Sequence, residues 1–237
     1  MSRKTVLVAG AGIGGLTAAV SLARQGYRVR LFEARASPGG LASSFEQEGL
    51  TFDGGLYILL DRPGLEWAFE QIGCPLEEHV ELWRIQDVYE VREPGQPRVR
   101  ISSSLDETSE GMEREWPGSG QRYRSFVDRT WAVCQRLRPL LQISRPGPAS
   151  LLKSGGWRDA PFLLRSLRSV LAASRLPAAI QRALSIWTHV AGQRLDEAPS
   201  TLAFVPGLIH NAGAWYPRSG VGEVPRALAR IAADAGC

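Results

Sequence analysis

The sequence has few cysteines and almost no lysine. Its three cysteines, Cys74, Cys134 and Cys237, lie far apart and form no C-x-x-C pair. That argues against a disulfide framework, a zinc cage and a thioredoxin-like redox site, and points to a reducing, cytoplasmic setting. Internal repeats and collagen-like bias are absent. With 44% hydrophobic and 22% charged residues among 237, the chain can bury a core and has the length of one to two domains. Long apolar runs are missing as well. The uncharged stretch Thr5–Ala23 follows a basic start, as a signal peptide would, but Gly10, Gly12, Gly14 and Gly15 interrupt its middle, where they lower helix propensity most. No later stretch is apolar enough to cross a bilayer, so a soluble or peripheral protein is expected.

Of 28 basic residues only Lys4 and Lys153 are lysines, which leaves 28 − 2 = 26 arginines. Residues 122–182 hold eleven arginines and Lys153 against Asp128 and Asp159, a balance of 12 − 2 = +10, so the rest of the chain carries 16 − 22 = −6. Such a segment is either a footprint for an anionic partner or a solvated helical face. No DNA or RNA module is recognisable and the aromatics do not alternate with the basic residues, so no nucleic-acid partner is expected. His79, His189 and His210 lack ligand spacing, so no metal site is expected and each histidine reads as structural. No motif supports a Ser or Cys nucleophile, and no catalytic acid or base can be assigned.

What is present is concentrated at the start. Thr5–Ala9 is a short β-rich apolar run, followed by Gly10-Ala-Gly12-Ile13-Gly14-Gly15 and a helical pattern from Leu16 to Arg24. The segment Tyr27–Glu33 then reads as a second strand ending on a carboxylate 23 residues after Gly10. Gly10 permits a tight turn, Gly12 lets the backbone approach a pyrophosphate, and Gly15 lets the helix pack against the strand. The helix N-terminus presents free N–H groups to phosphates, and Glu33 can accept hydrogen bonds from both ribose hydroxyls while disfavouring a 2′-phosphate. FAD or NAD is left.

The chain continues Glu33-Ala34-Arg35-x-x-Pro38-Gly39-Gly40, then Phe52-Asp53-Gly54-Gly55, and near the far end Tyr216-Pro217-Arg218-Ser219-Gly220 ahead of a helix expected over Val224–Ala235. This combination resembles FAD oxidoreductases of the phytoene desaturase family, whose relatives include carotenoid isomerases and retinol saturases. The resemblance implies that Gly10, Gly12, Ile13, Gly14, Gly15, Glu33, Ala34, Arg35, Gly39, Gly40, Leu41 and Ala42 bind FAD, with Gly55 and Leu56 near the flavin. NAD-only domains lack the second glycine pair, so FAD is preferred. Leu41 stands where many family members carry arginine, and Ser219 replaces a frequent glycine. Family chains also continue well beyond residue 237, so the resemblance is to an N-terminal part.

The implied fold class is α/β: a Rossmann-like FAD-binding domain of glutathione-reductase-like layout, interrupted by a mixed α+β substrate domain. Residues 1–75 and 213–237 would form the first and residues 76–212 the second, both incomplete. The implied activity is hydride removal from an isoprenoid polyene, or its isomerisation or saturation. Two alternatives stand beside it: a flavin oxidase of amines or porphyrinogens, and a non-catalytic fragment that needs a second polypeptide, namely the missing C-terminal half.

In the middle, Val88–Ile101 reads as a hairpin around Pro94-Gly95, and Ser102 to Ser104 are N-cap candidates for a helix over Leu105–Trp116. Tyr123–Leu141 reads as a longer helix, while the Arg145-Pro-Gly-Pro148 and Ser154-Gly-Gly156 stretches read as loops. Over Pro161–Ser174, Leu163, Leu164, Leu167, Val170 and Leu171 share one arc with Arg165, Arg168 and Arg175 beside it. This predicts one basic amphipathic helix over residues 161–175, either docked peripherally on a membrane or packed on a core. Trp187, Trp215 and Tyr216 are candidates to line a substrate tunnel or simply to fill a core.

Overall fold

The computed structural model describes residues 3–143, 145 and 147–237. In chain order the strands are β1 (Thr5–Ala9), β2 (Arg28–Phe32), β3 (Ser44–Gln47), β4 (Leu50–Asp53), β5 (Leu82–Ile85), β6 (Asp87–Val91), β7 (Val99–Ser102) and β8 (Ala214–Pro217). The helices are α1 (Ile13–Arg24), α2 (Arg62–Gln71), α3 (Leu105–Glu115), α4 (Ser119–Leu141), α5 (Pro148–Lys153), α6 (Ala160–Leu163), α7 (Leu167–Ala173), α8 (Ala178–Ser185), α9 (Trp187–Ala191), α10 (Val205–Gly207) and α11 (Glu223–Asp234). They form two compact units, one of residues 1–85 with 214–237 and the other of residues 86–213.

The first unit is Rossmann-like α/β. Strands β1 and β2 pair in parallel, Thr5 opposite Arg28 and Ala9 opposite Phe32, with α1 as the crossover between them, as parallel pairing requires. The apolar stripe of α1 buries Leu16 and Val20 against Phe69 and Ile72 from the α2 region and against Val224, Leu228 and Ile231 of α11. A proline at the second position of α2 and the Asp61 carboxylate, which accepts from the Gly64 N–H, start that helix, since Pro lacks an N–H that would go unpaired there anyway. Among the described residues β1 and β2 pair only with each other. Leu7 is 66% exposed and Phe32 51%, so the pair presents apolar side chains and an unpaired edge to solvent. Strands β5 and β8 close the unit as an antiparallel pair, Ile85 opposite Ala214.

In the second unit β6 and β7 form the expected hairpin, with a register irregularity between Asp87 and Tyr89. Ser104 caps α3, its hydroxyl accepting the Glu107 N–H. Helix α4 buries Tyr123, Phe126, Val127, Thr130, Cys134 and Leu137, a spacing of three and four residues that makes one continuous core stripe. Of the loop expected around Arg145, Pro146 lies outside the described residues.

The single amphipathic helix expected over residues 161–175 is not formed. Helix α6 stops at Leu163 and α7 starts at Leu167. Ser166 causes the break by capping α7, its hydroxyl accepting the Ser169 N–H, while it pairs with Pro199 in an isolated bridge. A serine at this point offers the backbone a non-helical alternative that outcompetes helix continuation. The expected leucine arc is divided: Leu167, Val170 and Leu171 are buried in the unit's own core, whereas Leu164 is 88% exposed. No amphipathic face of that length is available to a lipid surface. Among the described residues no helix is long and apolar enough to cross a membrane.

Candidate dinucleotide-binding site

The glycine turn after β1 is shaped by backbone geometry. Gly10 sits at φ +96°, a left-handed conformation that an L side chain strains to adopt, and its N–H donates to the Phe32 carbonyl at 2.7 Å. A Cβ on Gly15 would lie 1.9 Å from the Gly10 carbonyl oxygen, so helix and turn meet here only because that side chain is absent. A Cβ on Gly14, by contrast, meets nothing within 4 Å. The N-cap of α1 is Gly12, and no side chain caps the helix. Its first-turn N–H groups therefore face outward with the positive end of the helix dipole.

Three further segments are tied to this turn. Glu33 at the end of β2 accepts the Ala11 N–H at 2.6 Å and the Arg35 N–H at 2.9 Å. The hydrogen bonds from Arg35 and Ala11 hold its carboxyl below the ordinary glutamate range, so at neutral pH it is an ionised acceptor with lone pairs to spare. The second glycine pair lies beside the first turn: Gly39 donates to the Ala11 carbonyl at 2.8 Å and pairs in parallel with Gly12. The Arg35 guanidinium reaches the Gly40 carbonyl at 3.3 Å. Finally, Leu56 donates to the Leu41 carbonyl at 3.1 Å, and Gly55 passes so close to that carbonyl that a Cβ would lie 2.4 Å from it. Ala42 is buried and Leu41 is 81% exposed. Gly10 to Gly15, Glu33 to Arg35, Gly39 to Ala42, and Gly55 with Leu56 are thus brought to one place.

Residues 8–69 match the family model of the NAD(P)-binding Rossmann-like domain. The chain is also 30% identical over 98% of its length to a zeta-carotene-forming phytoene desaturase of Myxococcus xanthus, of which it covers 46%. The chain is similar to phytoene desaturases. A lycopene-forming phytoene desaturase of Pantoea ananas is 28% identical over 98% of this chain and 48% of its own length. The chain therefore spans about half the length of the curated relatives it matches. Among solved structures, an oxidoreductase from Methanosarcina mazei superposes with a TM-score of 0.63 at 17% identity, over 99% of this chain and 50% of the other. Putrescine oxidase bound to putrescine gives 0.58 at 16% identity, over 99% and 50% respectively. These two likenesses establish the fold.

One cluster escaped the sequence reading. Asp53, at the end of β4, accepts from the Tyr216 hydroxyl at 2.6 Å, the Val221 N–H at 3.0 Å and the Ser44 hydroxyl at 3.0 Å. Ser44 in turn accepts the Gly222 N–H at 3.0 Å. Burial and the Asp53 carboxylate push the Tyr216 hydroxyl up to about 12, so it stays a neutral donor. This knot fixes the end of β4, just before Gly55, to the segment that follows β8. The presence of Asp53 between Phe52 and Gly54 was the available signal; its partners Tyr216 and Val221, more than 160 residues away, were not. The serine at 219 causes no strain, because it is exposed and the left-handed residue is its neighbour Gly220 at φ +86°. Trp215 packs under the Arg62 guanidinium, 4.3 Å from its ring centre, whereas Trp187 is buried in the second unit. Among the described residues no group of three or more His, Cys, Asp or Glu could hold a metal ion.

Proposed function

We propose that this chain carries the FAD-binding site of an oxidoreductase that acts on an isoprenoid polyene, in the manner named for its curated relatives. The observation that carries the proposal is the parallel contact of Gly12 with Gly39, which sets two side-chain-free backbone segments beside an uncapped helix N-terminus and a fixed carboxylate. The residues suit the group. The N–H groups of Ile13, Gly14 and Gly15 would bind the pyrophosphate, Glu33 would accept from the ribose hydroxyls, and Gly39 to Ala42 would flank the phosphates while Gly55 and Leu56 border the flavin. Glu33 repels a 2′-phosphate, which favours FAD over a phosphorylated dinucleotide.

Bound flavin would supply a hydride acceptor for desaturation in its oxidised form, or a hydride donor for saturation in its reduced form. The chain's own residues hold that group in place, and Asp53 keeps the Gly55 strand end and the β8 exit in fixed register. The free edge of β1 and β2, with Leu7 and Phe32 exposed, supports a second element of the proposal: further polypeptide, equivalent to the other half of the relatives' length, completes the sheet before turnover. The test is the visible spectrum of the purified chain after incubation with FAD and gel filtration. Retained flavin absorbance in the wild type, lost in Glu33→Ala, is the expected result. Retention that ignores Glu33→Ala refutes the assigned site.

A further inference from the structure

The second unit contains a cavity of about 150 Å³ between α4 and the α6–α7 region, with Phe126, Val133, Phe162 and Val170 as apolar walls and Arg129 and Arg165 among its lining residues. Its volume is similar to that of a cavity which admits benzene, and it opens to solvent beside the exposed Arg129, Arg165 and Ala173. The two arginines set it apart from a packing defect. Arg129 uses Nε to donate to the Ser125 carbonyl at 3.0 Å. Arg165 uses Nε on the Ser169 hydroxyl at 3.2 Å and one terminal nitrogen on the Ser169 carbonyl. Both guanidiniums are thereby anchored, and both keep terminal N–H groups with no protein acceptor among the described residues. Neither has a carboxylate partner there, whereas Arg124, Arg136 and Arg182 of the same basic segment are engaged by Asp106, Asp159 and Glu93.

Both arginines line the same apolar pocket, and an oxyanion seated there would receive charge-assisted hydrogen bonds from their free terminal N–H groups. The geometry points to a small amphipathic anion as the occupant: a carboxylate or phosphate monoester head on Arg129 and Arg165, with a hydrocarbon of about six carbons filling the apolar part. The head group can belong to a free metabolite or to a lipid, and the chemistry of recognition is the same. This site is separate from the dinucleotide site and does not depend on it.

The test is titration calorimetry of the full chain with hexanoate, hexanol and inorganic phosphate. Hexanoate is expected to bind at least about tenfold more tightly than either of the others, because only it offers both halves of the recognition. Arg129→Gln and Arg165→Gln should each weaken hexanoate about tenfold. Both positions are exposed, so these variants keep the wild-type melting temperature. Ala173→Leu, at an exposed position on the cavity lining, should fill the space and abolish binding. Co-sedimentation with phosphatidylcholine vesicles containing phosphatidate assigns the source: sedimentation that hexanoate competes away identifies a lipid head, and hexanoate binding without sedimentation identifies a free anion. Hexanoate no tighter than hexanol, or equal hexanoate affinity in the wild type and both arginine variants, overturns the proposal.

Discussion

Adjacent glycines in α1 make opposite predictions. At Gly15 an added methyl would lie 1.9 Å from the Gly10 carbonyl oxygen and 3.7 Å from the Val8 side chain. The first contact is with backbone inside a hydrogen-bonded turn, so relief requires helix and strand to move apart by about 1 Å. Overpacking of that kind costs roughly 1–3 kcal/mol, offset by up to about 1 kcal/mol from the better helix propensity of alanine. Gly15→Ala should therefore lose about 1–2 kcal/mol, a fall of about 2–8 °C in melting temperature for a chain of this length. Gly14→Ala meets nothing within 4 Å, and should be neutral or gain up to about 1 kcal/mol. Thermal unfolding followed by circular dichroism reads both. The same open space is where the proposed phosphates lie, so Gly14→Ala should still bind FAD more weakly than the wild type. The reasoning fails if Gly15→Ala melts with the wild type, or if both variants lose equal stability.

Removing the Asp53 carboxylate with Asp53→Ala strands three donors, the Tyr216 hydroxyl, the Val221 N–H and the Ser44 hydroxyl; a loss of about 2–4 kcal/mol in urea unfolding is expected, and Tyr216→Phe should lose about 1 kcal/mol and couple to it in a double-mutant cycle. Arg136 holds Asp159 with two hydrogen bonds at 2.9 and 2.7 Å, and the Asp159 side chain is only 7% exposed, so Arg136→Ala should destabilise the second unit by about 2 kcal/mol in urea unfolding. His210 accepts or donates a 2.7 Å hydrogen bond with the buried Tyr123 hydroxyl, and burial, with the Arg124 charge adding to it, lowers its pKa to about 4. The unfolded chain then takes up a proton first, below about pH 6.5. The stability that neutral, buried His210 contributes is intact above that pH, declines as pH falls, and is lost near pH 4, a change on the order of 3 kcal/mol. Urea unfolding at pH 7 and pH 4 should show a smaller decline in His210→Gln than in the wild type.

Local patterns carried most of what was legible from the residues. The β1–α1–β2 unit rests on a short apolar run, a glycine turn and a carboxylate at fixed spacing, and each is a near-neighbour effect. The β6–β7 hairpin and the Ser104 cap belong to the same class. The break between α6 and α7 was not legible, because the 3.6-residue periodicity of the leucines continues through Ser166, and only its cap and its pairing with Pro199 decide against a continuous helix. The Asp53 knot and the Gly12–Gly39 contact were invisible for another reason: they join segments 27 to 178 positions apart, and nothing in either segment alone specifies its partner. The arginine excess of residues 122–182 was plain in the sequence, but the division between arginines neutralised by carboxylates and those left to a cavity exists only in three dimensions.

The pairing of β5 with β8 also bears on how such a chain can be built and altered. Ile85 and Ala214 are opposite each other at the end of an antiparallel ladder, so the 128 residues between them enter and leave the first unit at the same rung. A two-residue Asn-Gly turn spans that gap without disturbing the register. Duplication, exchange or excision of the intervening segment therefore needs no redesign of the nucleotide-binding scaffold. One rung of a small ladder is the seam along which recombination can bring a different insert to an unchanged Rossmann core.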